Sequence, residues 1–198
     1  MRTSTYPVIA KQFAEAQAAA GNINSNGLTN IGKYKYPESR HSVKTDVSAL
    51  GVGTHKILSS DILKQTGICT IDRGKLGSNE NLVLTGLVLG FANEADTNSP
   101  NTVTYSTVET NLDPALANGT IFIKQEGRVI LELPIDQHFH SAASDKPRAE
   151  QGWQYDSLRW VKADTEFTVE LELSSAVVPG ANKKTFFYIG FSGWTTQL

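Results

Sequence analysis

Two histidines separated by one residue form the pattern in this sequence that comes nearest to a metal site. His138 and His140 belong to the segment Asp136–His140, and side chains at positions i and i+2 point to the same side of a β-strand. A third ligand is needed to complete a metal site, but Glu150 lies ten residues further on and no histidine follows His140. We therefore interpret this segment as a loop with solvent-facing histidines and a buried Phe139, and we predict no metal and no cofactor.

Aromatic residues cluster around position 155, where Trp153, Tyr155 and Trp160 lie close together in the sequence. Exposed rings beside polar side chains such as Gln154 and Asp156 are typical of surfaces that stack against sugars. Packing in a core or at a protein contact is the more common fate of such rings. A carbohydrate-binding β-sandwich, such as a receptor-binding or lectin-like module, is therefore the alternative function, with these three rings as its ligand platform.

A short stretch that alternates lysine and tyrosine, Lys33–Tyr36, lies in the N-terminal part of the chain. Such alternation is typical of platforms that bind single-stranded nucleic acid, and Arg40 and Lys44 add positive charge nearby. Because the patch is small, we favour a solvated arm anchored by the rings of Tyr34 and Tyr36. Weak contact of this arm with a genome or a membrane is the alternative.

The sequence contains no convincing catalytic motif. The segment Gly27–Lys33 matches the first seven positions of a phosphate-binding loop, but Tyr34 occupies the position at which Ser or Thr must meet magnesium. Neither a Ser/His/Asp motif nor a nucleophile elbow is found in the sequence. We therefore predict that the protein is not an enzyme, and a metal-dependent enzyme that uses His138 is the weakest of our three hypotheses.

The composition narrows the class of protein. The chain has 198 residues and a single Cys, which excludes an internal disulfide and a zinc site made of cysteines. Charged residues make up 19% of the chain and its formal net charge is -2, which argues against a coat that binds nucleic acid by charge alone. No apolar run approaches the roughly 18 residues of a membrane span, and no apolar signal segment follows Met1. These features favour a globular domain in a reducing compartment.

The N-terminal region differs from the rest of the chain. Residues 6–20 are predicted to form a helix, because Ile9, Phe13 and two alanines share one face at helical spacing. That apolar face is small, so the helix is marginal alone and needs a surface to pack against. The stretch after it is rich in Asn, Gly and Ser and reads as an extended arm. We divide the chain into a helix and arm, 1–50, and a β-domain, 51–198.

In the β-domain, short apolar and β-branched runs are separated by turns rich in Gly, Pro and Asn. We predict an all-β fold, an eight-stranded antiparallel jelly-roll sandwich, because eight strands in two sheets is the jelly-roll number. An immunoglobulin-like sandwich is the rival, but its Cys and Trp spacing is absent. The predicted strands are 56–63 with 68–72 as one interrupted strand, 81–91, 102–108, 120–125, 128–133, 157–161, 166–173 and 185–194.

Two predicted strands, 81–91 and 185–191, carry apolar residues on both faces. In an antiparallel sandwich one face of each strand normally meets water and is polar. The hairpin shows the same feature weakly, with Phe122 and Leu131 expected on one face and Ile121, Ile123 and Ile130 on the other. An exposed apolar patch of this size is rare in monomers, so something must cover the outer surface. The candidates are the N-terminal helix, a long loop of the same chain, or a neighbouring copy.

With these features, the chain resembles the jelly-roll capsid proteins of icosahedral bacteriophages. The resemblance rests on the helical arm YPVIAKQFAEAQAAAGN, the apolar strand LVLTGLVLGF with the Asn- and Pro-rich loop after it, and the hairpin NGTIFIKQEGRVILELP. It covers most of residues 53–198 as a pattern without a diagnostic motif. It implies a self-assembling subunit in a shell of many copies, together with other virion proteins, located in the virion and assembled in the host cytoplasm.

The resemblance also implies a role for the arm. We expect the arm to fasten subunits together through Tyr6, Ile9, Phe13, Tyr34 and Tyr36, beside contacts between apolar sheet faces. Many small-virus coats carry an arm rich in Arg and Lys, but residues 1–20 here contain one Arg and one Lys. This departure indicates that the arm does not condense nucleic acid.

Overall fold

The computed structural model describes residues 6–21, 41–78, 80–107, 112–139 and 153–196, and within them all side chains except those of residues 6, 7, 10 and 153–156. The helices are α1 (Tyr6–Ala19) and α2 (Pro114–Ala117), and a 3-10 turn spans Asp136–His138. The strands are β1 (Ser42–Asp46), β2 (Gly53–Leu58), β3 (Leu82–Ala95), β4 (Thr120–Gln125), β5 (Arg128–Pro134), β6 (Trp153–Val161), β7 (Phe167–Leu173) and β8 (Lys183–Thr195).

In the described residues, eight strands form two four-stranded antiparallel sheets, which confirms the prediction of an all-β sandwich. The first sheet has the strand order β1-β8-β3-β6, and the second has the order β2-β7-β4-β5. The main hydrophobic core takes side chains from both sheets, including Leu84 and Leu89 of β3 and Ile121 and Leu171 of the second sheet. The core therefore lies between the two sheets.

Three strand assignments differ from the prediction. The predicted interrupted strand 56–63 with 68–72 is a strand only in its first part, within β2, because residues 68–72 pair only through isolated bridges such as that between Val43 and Cys69. The β-branched run Thr102–Val108 is not a strand where it is described, because it joins β3 only through an isolated bridge between Phe91 and Ser106. The polar segment Ser42–Asp46 forms β1, although the sequence places it within the arm. This segment is a strand because it pairs with the distant strand β8, and local residue preferences do not reveal such pairing. Residues 42–46 therefore belong to the first sheet.

The second sheet has the ordinary alternation of a half-buried sheet. In β7, Phe167, Val169, Leu171 and Leu173 are buried as predicted, and the residues between them lie on the other face. The hairpin corrects one predicted pairing. Leu131 lies opposite Ile123 and is buried with it, so it does not share a face with Phe122.

The turn between the two hairpin strands is also as expected from its residues. Glu126 and Gly127 both have positive φ, 53° and 73°, which is the backbone of the turn that matches the twist of a two-residue hairpin. The sequence pattern is therefore a good guide in this sheet, because turn chemistry and alternation are both local.

Candidate functional site

The most informative surface is the outer face of the first sheet, which we define as the side turned away from the main core. Val83 lies on this face and is paired with Trp160 of β6 on one side and Trp194 of β8 on the other. Helix α1 packs on this row of three residues. Ala14 and Val83 are fully buried together, and the Phe13 ring meets the Trp160 ring edge to face at 6.2 Å between centroids.

The small size of Ala14 explains the docking geometry. A methyl group lets the helix backbone approach Val83, while the flanking indoles fill the space on either side. Ala14 therefore contributes to packing on the sheet as well as to helix formation. The apolar face of α1 is small, and most of its stability must come from this contact.

The other end of the outer face is covered by the segment 99–107. Tyr105 packs on Ala92 and Phe186, with Tyr188 beside them, and the two tyrosine rings lie 5.6 Å apart. The Tyr105 hydroxyl donates a hydrogen bond to the Pro100 carbonyl at 2.7 Å, which holds the loop in place. The loop that the sequence misassigned as a strand is thus a cover for the sheet.

The chain itself therefore covers the apolar outer face. Val83, Val88, Ala92 and Phe186 are all buried within a single copy. The prediction that these strands need a cover holds, and among the described residues α1 covers one end of the face and the segment 99–107 covers the other. Burial of the four residues named does not require a neighbouring copy.

Two apolar residues near the N-terminal end of α1 are exposed. Val8 and Ile9 are 54% and 43% exposed, whereas Phe13 and Ala14, further along the helix, pack on the sheet. Lys11 and Glu15 form a weak ion pair at 3.9 Å along the helix. Of the predicted arm residues, Phe13 thus holds the helix to its own sheet, whereas Ile9, one turn earlier, is exposed.

Other predicted arm and platform residues lie outside the described side chains. Tyr6 begins α1 but its side chain is outside the description, and Tyr34 and Tyr36 lie outside the described residues altogether. Trp153 and Tyr155 belong to β6, again without described side chains. The third platform residue, Trp160, is partly buried, and the Phe13 ring packs against it.

The histidine pair is not arranged as predicted. His138 is buried in the 3-10 turn and does not face solvent, and its ring Nδ1 donates a hydrogen bond to the Pro134 carbonyl at 2.9 Å. Burial lowers the pKa of His138, because the charged imidazole is desolvated there. Phe139 is buried against Phe91, as expected, and His140 lies outside the described residues. Within the described ranges, no group of three His, Cys, Asp or Glu side chains is placed to hold a metal ion.

The sequence analysis missed a polar cleft of about 530 Å³ beside the start of β3. His41, which precedes β1, and Glu80, which precedes β3, meet in it with the His41 Nε2 at 3.0 Å from the Glu80 Oε1. The hydrogen bond from His41 lowers the pKa of Glu80, against a smaller opposing effect of burial. No local signal links residues so far apart in sequence, so only the fold reveals the pair.

A second cavity of about 410 Å³ lies at the opposite end of β3. Asp113 lines it together with Asn93 and Lys183. Both oxygens of Asp113 already accept backbone hydrogen bonds, from Ala115 at 2.8 Å and Val178 at 3.2 Å. Asp113 therefore acts as the cap of α2 and as a tie to the loop before β8.

Comparisons with known proteins do not place the chain in a family, because no family model matches it and no curated protein is significantly similar. In the described part of the chain, no helix is long and apolar enough to cross a membrane.

Proposed function

We propose that this chain is a structural subunit of a virus particle, a jelly-roll capsid protein that assembles with further copies through its N-terminal helix and arm. The role is structural and not catalytic, and the contact surface is the exposed apolar end of α1 around Val8 and Ile9. The observation that carries the proposal is that α1 holds its own sheet through Phe13 and Ala14 while Val8 and Ile9, near its N-terminal end, are left exposed.

The strand order supports the jelly-roll part of the proposal. The first sheet contains the first, eighth, third and sixth strands, and the second contains the second, seventh, fourth and fifth. Apart from the β4–β5 hairpin, each consecutive pair of strands lies in different sheets. Eight strands wound in this way between two sheets are what a double Greek-key sandwich requires.

The length of the arm supports the proposed role of α1. Nineteen residues, 22–40, connect α1 to the start of the sandwich, and such a chain can span up to about 60 Å. The helix packs on β3 and β6, and neighbouring strands are about 4.8 Å apart, so the lateral separation between the helix and β1 across the sheet is about 15 Å at most. The covalent connection is thus long enough to allow contacts with a neighbour.

Sheet faces have a smaller part in this proposal than the sequence suggested. The outer face of the first sheet is covered by its own chain, and the outer face of the second carries polar residues such as Glu170 and Lys124, which form an ion pair at 2.6 Å. The contacts that remain between copies are those made by α1, and such weak contacts become strong only when symmetry repeats them over many copies. The carbohydrate-binding alternative has less support, because Phe13 packs on Trp160.

The test is sedimentation velocity of the purified protein at rising concentration. The wild-type chain is expected to form larger species, and the double variant Val8→Glu/Ile9→Glu is expected to remain a monomer. The matched control is Val129→Glu, which puts the same charge on another exposed valine, 52% accessible, at the hairpin. It should assemble as the wild type does. A wild-type chain that stays monomeric at all concentrations, or a double variant that assembles normally, overturns the proposal.

A further inference from the structure

Strand β5 is an edge strand of the second sheet, because in the described part of the chain it has β4 on one side and no further strand of that sheet on the other. A free edge presents backbone N–H and C=O groups with which another strand can pair. The sequence of β5, RVILELP, is rich in apolar residues, and Val129 in it is 52% exposed. By composition, β5 is therefore a segment that favours strand pairing.

A β-bulge interrupts this edge. The pairing with β4 shifts between Ile123 and Lys124, so that Ile130 is skipped in the ladder. The Ile130 side chain is partly buried and packs against the main core. A bulge bends the strand and leaves the extra residue unpaired. The backbone carbonyl of Ile130 can therefore bond to a group that lies outside the second sheet.

The group that bonds to this carbonyl is Arg159 of β6, in the first sheet. Arg159 lies opposite Leu84, which belongs to the main core, so the arginine side chain starts on the core side of its own sheet. Its Nε donates a hydrogen bond to the Ile130 carbonyl at 3.1 Å. Its Nη1 donates to the hydroxyl of Ser157 on the same strand, which fixes the direction of the guanidinium. The side chain thus spans from one edge of the first sheet to the edge of the second.

We propose that the edge of β5 is a strand-pairing surface for a second copy of this chain, and that Arg159 keeps this edge closed. An added strand must bond to the backbone groups on the free side of β5, and the carbonyl at the bulge is already bonded to Arg159. The closed edge leaves the contact through α1 as the route by which copies assemble, but the proposal does not depend on that contact.

The charges of β5 indicate how a second copy would pair. Arg128 and Glu132 are both exposed and lie toward opposite ends of the strand. Antiparallel pairing of two β5 strands brings the positive end of each strand beside the negative end of the other, whereas parallel pairing brings like charges together. The expected occupant of the open edge is therefore β5 of another copy, related by a twofold axis.

The test is the variant Arg159→Met, which removes the guanidinium and keeps an unbranched apolar side chain. It is made in the full chain that already carries Val8→Glu and Ile9→Glu, and each result is compared with that parent. Any association through α1 is then the same in both proteins. The average mass in sedimentation equilibrium is expected to rise by up to about twofold with concentration, as a twofold pair requires. Amide hydrogen exchange in residues 128–134 is expected to slow, because pairing protects the N–H groups of the edge.

Two further variants locate the contact. Arg128→Met removes a positive charge from β5 itself but leaves the Ile130 carbonyl bonded, so its mass should equal that of the parent. Addition of Val129→Lys to Arg159→Met places a charge on the edge strand, which opposes strand pairing. This combination should return the mass to that of the parent.

Two results would overturn the proposal. One is an Arg159→Met variant whose mass stays equal to that of the parent at every concentration. The other is association that persists with Val129→Lys or that occurs without slower exchange in residues 128–134, because the contact would then lie on another surface. Whether the parent itself assembles bears only on the role of α1.

Discussion

Replacement of Asn81 by alanine is expected to destabilise the sandwich by about 2–4 kcal/mol. Asn81 is fully buried just before β3, where three segments meet. Its side-chain oxygen accepts the backbone N–H of Ala163 at 2.9 Å. Its backbone exchanges hydrogen bonds with Thr196, through the Thr196 hydroxyl at 2.9 Å and the Thr196 N–H at 2.9 Å.

The magnitude follows from what the substitution leaves behind. The bonds between the backbone of Asn81 and Thr196 persist in the variant, because they do not involve the side chain of Asn81. The Ala163 N–H, in contrast, is buried and loses its acceptor, which costs about 1–3 kcal/mol. The small cavity left by the amide adds about 1 kcal/mol. The free energy of unfolding of a typical domain is about 5–15 kcal/mol, so a loss of this size is easily measured.

Urea unfolding followed by circular dichroism measures the loss. The matched control is Asn118→Ala, the same chemical change at an exposed position where the amide donates to the Pro114 carbonyl at 2.9 Å. This control should cost less than about 1 kcal/mol, because water replaces the lost partner. If Asn81→Ala lowers the free energy of unfolding no more than Asn118→Ala does, the buried Ala163 N–H does not depend on the Asn81 side chain and the reasoning is wrong.

Three further predictions concern the sheet, the buried imidazole and the helix. Gly193→Ala should cost about 2–4 kcal/mol in urea unfolding, because Gly193 has φ +154° and a Cβ there would lie 2.0 Å from the Val83 carbonyl oxygen; a cost below about 1 kcal/mol would contradict this close approach. Burial lowers the pKa of His138, so the unfolded chain binds the proton more readily, and stability present above about pH 6.5 should be lost as the pH falls. His138→Gln should flatten this decline between pH 7.5 and 5.5, and an unchanged decline would exclude the imidazole as its source. Phe13→Ala should release α1 and shift part of the tryptophan emission to the red through exposure of Trp160, with a cost of about 1 kcal/mol, whereas unchanged emission would show that the helix stays docked.

The strands predicted correctly are those whose signal is local. The alternation of β7 and the Glu126-Gly127 turn depend on neighbours in sequence, and both are found as expected. The run 102–108 misleads because β-branched and aromatic residues also suit a loop that packs on a sheet, as Tyr105 does. His138 misleads for a similar reason, since a polar residue after a strand is usually exposed but here donates to Pro134 inside the fold.

The candidate site depends on the pairing register of the strands, which cannot be predicted from the sequence alone. Trp160 and Trp194 are far apart in the chain, and they flank Val83 only because β6 and β8 pair with β3 at that residue. A shift by one residue would turn both indoles to the other face. The His41–Glu80 pair has the same origin, because the pairing of β1 with β8 brings residue 41 to the cleft.

By itself, the sequence determined that the domain is built of β-strands and that two of these strands need cover on both faces, since apolar residues without a polar alternate must be buried. It also located the helix whose small apolar face needs a partner. Only the tertiary structure decided that helix and sheet are partners for each other, with a loop over the remaining surface. The physical reason is that covering an apolar surface is non-directional. Any apolar element can cover the sheet face, and an element of the same chain is favoured because it is already tethered close to that face.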